Sequence, residues 1–134
     1  MKLLAFWEAR PADGIVMGRD VPSRAIAGLL ENIAILEPTA DRTDLRVRLA
    51  GASLLKRWEG DVKGRMLSQL FSPDEFRDHL KNNLTAIDAD RPVIVDSCLV
   101  ACTVDKLQFE VVLLPVYTPD RRAKWVLCGM FYFS

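Results

Sequence analysis

The chain is 134 residues long, the length of about one domain, so a multidomain machine is excluded. Half of its residues are hydrophobic and 27% are charged, a globular composition with material for a single core and without the bias that keeps chains disordered. The 18 Lys and Arg balance the 18 Asp and Glu; with zero net charge and no basic block, the counterion-release affinity that phosphate backbones reward is missing and no nucleic-acid partner is expected.

Taken in chain order, Lys2 to Arg10 places Leu3, Phe6 and Trp7 on one side of a short amphipathic helix, ended by Pro11 and Gly14. Such a helix needs a surface to lie on. Pro22 and Ser23 start a second helix, with Ile26, Leu29 and Leu30 at i, i+3, i+4. Asn32 to Glu37 reads as a short apolar strand, and Leu45, Val47 and Leu49 alternate with Arg46, Arg48 and Ala50 in a second, forming a hairpin. Ala52 to Trp58 gives one or two helical turns, Glu59 to Gly64 a loop and Arg65 to Phe71 another short helix.

The clearest local signal is Ser72-Pro73-Asp74-Glu75, a capping box with proline at the first helical position. Phe76, Leu80, Leu84 and Ile87 then run at helical spacing to about Asp90. Three β-rich runs follow, Val93 to Val104, Leu107 to Tyr117 and Lys124 to Phe133, and their short connections make them antiparallel. The expected architecture is α+β: a five-stranded antiparallel sheet with helices on one face and an N-terminal amphipathic helix. It divides into an N-terminal helical cap over residues 1–31 and a compact domain over residues 32–134. Both faces of the fourth strand carry apolar residues, so the second face needs a cover, either the Leu3, Phe6, Trp7 helix or a second subunit.

Of the three cysteines, Cys98 and Cys102 share a strand and lie roughly 13 Å apart along it, beyond the approximately 7 Å that a disulfide spans. No signal peptide is read at Lys2 to Arg10, so a reduced, cytoplasmic protein is expected. The longest uncharged apolar stretch, Val111 to Thr118, falls far short of the roughly 20 residues that cross a bilayer, and no membrane insertion is expected.

The order of elements resembles a PAS domain. In finer detail the chain resembles a bacterial single-domain PAS-like family, frequent in alphaproteobacteria and long catalogued as a domain of unknown function. The residues that carry this are Phe6-Trp7, Arg19-Asp20-Val21-Pro22 leading to Ile26, Leu29 and Leu30, Arg46 to Gly51, and Gly60 to Leu67. The resemblance implies a sensory or regulatory module that binds a small ligand or a protein partner between sheet and helices and dimerises through its N-terminal helix. It leaves the cofactor unknown, because PAS domains hold haem, flavins, organic acids or nothing.

Single residues carry several readings. His79 is the only histidine, which excludes a polyhistidine metal site and leaves a catalytic triad one candidate base. Its place on the long helix resembles that of the axial ligand in haem-binding PAS domains; a ligand-facing hydrogen-bonding role and a half-exposed helix residue are the other readings. The flavin-photosensor motif Asn-Cys-Arg-Phe-Leu-Gln does not occur, which argues against flavin photochemistry; Cys98, Cys102 and Cys128 read as buried structural thiols, and no metal is expected. Asp96 reads either as a base facing an apolar pocket or as a solvent-side residue.

These readings converge on a PAS-type module without catalysis of its own. Its ligand would lie between Val47, Leu49, Phe109, Val111 and Leu113 of the sheet and Trp58, Phe71, Phe76, His79 and Leu80 of the helical side. The interface of a homodimer is expected at Leu3, Phe6 and Trp7, and a separate signalling protein is the expected effector, because nothing in the chain past Ser134 carries an output. The alternative is a small cone-shaped α+β isomerase or dehydratase using Asp96 or His79 as base; a third is a structural dimerisation module with a filled core.

Overall fold

A computed structural model describes residues 2–99 and 107–133. Helix α1 (Lys2–Glu8) leads through a loop to a 3-10 helix (Arg24–Asn32), then strands β1 (Ile33–Pro38) and β2 (Leu45–Ala50). Helix α2 (Ala52–Arg57), a 3-10 turn (Leu67–Gln69) and the long helix α3 (Pro73–Ala89) follow, and β3 (Val93–Leu99), β4 (Leu107–Tyr117) and β5 (Lys124–Phe133) complete the chain. The strands form one antiparallel sheet in the order β2-β1-β5-β4-β3, which puts β5 at its centre. The expected α+β class and five-stranded sheet are present.

Local chemistry explains the boundaries. At the start of α3 the Ser72 side chain accepts from the Glu75 N–H, and the Glu75 carboxylate accepts from the Ser72 N–H, satisfying donors that a helix N-terminus leaves open. The helix ends at Asp90 in the left-handed region, just ahead of Pro92. The second expected helix forms as 3-10 turns, interrupted at Ile26 by φ −120° and ψ 15°. It meets Gly51 at the end of β2, where a Cβ would stand inside the Leu30 carbonyl and the Glu31 backbone.

Alternation along the strands produces two cores, one on each face. The inner core joins Leu36, Val47, Val111, Leu113, Val126, Cys128 and Met130 to Leu54, Val62, Leu67 and Ala86 of the helical side. The outer core joins Ile33, Ile35, Val112, Leu114, Val116 and Leu127 to Leu3, Trp7, Ile15, Met17, Val21 and Ile26. Each fully buried Leu or Ile contributes about 1.5–3 kcal/mol from area alone, so both faces share in the stability of the domain.

Two expectations need correction here. The first concerns Leu49: the pairing of β1 with β2 matches Ile35 to Leu49 and Leu36 to Val47, so Arg48 is an extra residue. This bulge reverses the alternation, putting Leu49 in phase with outer Ile35, where it is 51% exposed. Leu49 is therefore not a residue of the inner pocket.

The second concerns α1. Leu3 is 0% and Trp7 7% exposed, both covered by their own sheet, with Phe6 half-buried beside them. Side chains already buried within their own fold have no area left to offer a second subunit, so Leu3 and Trp7 are a cover rather than a dimer interface. Among the described residues no helix is long and apolar enough to cross a membrane.

Candidate functional site

The inner core contains the site. Its apolar wall comes from the sheet: Leu36 of β1, Val111 and Leu113 of β4, Cys128 and Met130 of β5. Opposite stand Trp58 at the end of α2, Leu67 of the 3-10 turn, Phe71, and His79 and Asn83 of α3. The space left among these side chains is about 10 Å³, close to the room one water occupies.

The connection between α2 and α3 is held over this wall by backbone bonds. Gly64 N–H donates to the Val47 carbonyl at 2.7 Å, and Val47 N–H donates to the Arg65 carbonyl at 2.9 Å, so the loop docks on β2. Gly60 and Gly64 have φ of +139° and +87°, conformations that glycine adopts without a Cβ penalty. Val62 is buried beneath.

Three aromatic rings form a row at the mouth. Trp58 and Phe71 meet edge to face with centroids 6.2 Å apart, and Phe71 lies against the His79 imidazole at 4.4 Å. Trp58, Phe71 and His79 are all half-buried, whereas the wall behind them is buried. Burial pushes the His79 pKa below its ordinary value, opposed by the negative charges of Glu75 and Asp78. The imidazole is therefore neutral near pH 7 and offers one donor and one acceptor.

Asn83 sits one turn beyond His79. It is 1% exposed, and its Nδ2 donates to the His79 carbonyl at 2.7 Å. Its Oδ1 has no hydrogen-bond partner among the described residues. A buried acceptor without a donor costs about 1–3 kcal/mol, which a packing role alone does not explain. Behind it the Cys128 thiol is pushed up to about 12 by burial, so it is a neutral wall group and no nucleophile.

Of the residues expected at the site from sequence, Trp58, Phe71, His79, Val111 and Leu113 line this space. Val47, Phe76 and Leu80 pack in the same inner core without lining it. Cys102 and the side chains of Asp96, Cys98 and Phe109 lie outside the described residues; the β3 backbone pairs Asp96 with Glu110. Leu36, Leu67, Asn83, Cys128 and Met130 are additions. Asn83 was legible, because it lies three residues after Leu80 and seven after Phe76, a polar residue on the apolar stripe.

The arrangement does not fit haem. His79 lies against Phe71, and about 10 Å³ remains beside it, whereas pockets for ligands of drug size take about 300–1,000 Å³. Among the described residues no three His, Cys, Asp or Glu cluster to hold a metal.

A wider groove of about 310 Å³ runs beneath α1 on the opposite side, between Phe6, Arg10, Arg19, Asp20 and Pro22. Its polar groups are engaged with one another: the Arg19 guanidinium binds Asp13, Asp20 and the Gly14 carbonyl. Size favours the groove and chemistry the inner pocket. The inner pocket is preferred here because its open acceptor can orient a ligand, whereas Arg19 and Asp20 of the groove are already paired.

A five-stranded antiparallel sheet with a long helix and short helical turns closing a polar-ended apolar pocket defines an α+β domain with helices over its inner face. The family model for the PAS domain matches residues 1–131. The chain belongs to the PAS domain family, and with it to a class of sensory and regulatory modules. The match starts at residue 1 and so takes in α1 as well as the sheet. A search of curated proteins finds no match.

Proposed function

We propose that the chain is a sensory module without catalysis of its own, binding a small molecule in the inner pocket and passing the result through the sheet to α1, where a separate signalling protein reads it. The observation that carries this is the position of β5. Cys128 and Met130 of that strand line the pocket, while Gly129 between them faces outward beneath Leu3. A Cβ at Gly129 would run into Leu3 Cδ1 and the Phe131 ring, so α1 rests directly on the backbone of the central strand. Any rearrangement of Cys128 and Met130 on ligand binding acts on the strand that supports α1.

Such coupling requires that the ligand favour one of two positions of α1. Packed cores favour discrete rearrangements over continuous deformation, and α1 is held by few side chains, chiefly Leu3 and Trp7. The partner then meets the outward side of α1, where Ala5 and Glu8 are exposed.

Native mass spectrometry of the purified chain tests the ligand half of this reading. The expected result is a mass surplus that is lost on denaturation and reduced when Phe71→Ala opens the row of rings. A chain that carries no surplus and takes up none from a small-molecule extract would overturn it.

A further inference from the structure

The open polar atom of the pocket specifies what can satisfy it. Asn83 Nδ2 donates to the His79 carbonyl at 2.7 Å, and the reversed amide would set two oxygens against each other, so the direction of the side chain is determined. The end without a partner among the described residues is Oδ1, which accepts and cannot donate. Resting on the ligand reading above, we infer that the inner pocket takes a small, neutral, largely apolar molecule whose N–H or O–H donates to Asn83 Oδ1.

The rest of the pocket narrows the class. Val111 and Leu113 on one side and Trp58 and Phe71 on the other suit a flat or compact apolar body. A charged ligand is disfavoured, since burial holds both the Cys128 thiol and the His79 imidazole in their neutral forms. His79 stands four residues before Asn83, on the same face of α3, and supplies a second polar contact next to the first. With about 10 Å³ of space, the ligand enters by displacing side chains. Phe71 and Trp58 are half-buried, and Met130 is an unbranched side chain that changes shape at low cost.

Indole and indene, which share a frame and differ by N–H against CH₂, separate the donor from the shape. Calorimetry measures affinity, and the NMR signals of the one histidine report occupancy of this pocket. Indole is expected to shift the His79 signals and to bind about tenfold more tightly than indene. Asn83→Leu is expected to bring the two within about twofold, while the wild-type pair decides the matter alone if that variant fails to fold. Equal affinities in the wild-type chain, with His79 shifted by both, would overturn the donor inference and leave the pocket standing. Failure of both to shift His79 at millimolar concentration would overturn the inference, while the ligand reading stands or falls separately on the native mass spectrum.

Discussion

The inner and outer cores share one sheet and are closed in different ways. The outer core is apolar at Leu3, Ile15, Ile26, Val112, Leu114 and Leu127, and the loop after α1 is tied down by Arg19 to Asp13 and Asp20. The inner core includes a buried amide with an open acceptor, a neutral imidazole and a row of half-buried rings. The polar groups beside the first face are paired with one another, and on the second the Asn83 acceptor is left open, which is where a ligand has something to complete. A fold can hold such a face because the other supplies the stability it gives up.

Truncation of the outer core is the strongest way to sharpen this contrast. Leu114→Ala, at 0% exposure, is expected to lower the unfolding free energy by about 2–5 kcal/mol, read from urea melts. Gly129→Ala drives a methyl into Leu3 and Phe131, with an expected loss of about 1–3 kcal/mol and loosening of α1 seen by amide exchange. Asn83→Leu removes an unsatisfied acceptor and should change stability by less than about 1 kcal/mol in either direction. A loss as large as that at Leu114 would place Asn83 among the ordinary packing residues and erase the difference between the faces.

The smallest effect is one of pH. The His79 pKa is below 6.5 in the folded chain, so the unfolded chain takes up a proton first as the pH falls. The stabilisation is present above about 6.5 and is lost as pH falls through the folded value. On the outer side, the Arg19 hydrogen bond lowers Asp13 from 3.8 to about 2, a contribution present above 3.8 and lost only below it. His79→Leu should remove the decline in melting temperature that begins near pH 6.5 and leave the acid limb unchanged.

How much of this the sequence reveals depends on the range of the interaction. The capping box at Ser72 and Glu75 and the bounds of β4 and β5 are local, and they read correctly from spacing and turn residues. The side of the sheet on which Leu49 lies is not local, because the extra residue at Arg48 is defined by pairing with β1. The amphipathic pattern of α1 announces a buried side without saying which surface buries it; Leu3 and Trp7 could be assigned only once Gly129 stood beneath them. At the site, Trp58, Phe71 and His79 followed from the resemblance to PAS domains, whose pockets lie beside the short helices and the long one. The significance of Asn83 needed the His79 carbonyl at 2.7 Å, since only that bond shows which end of the amide is left open.

Amide hydrogen exchange across Leu3–Trp7, with and without indole at a concentration that saturates the His79 NMR shift, tests the coupling of the two faces most directly. If the inner pocket governs α1, exchange there changes by at least severalfold on saturation while the Leu114 region of β4 keeps its protection. Unchanged exchange in α1 with the pocket fully occupied would contradict it.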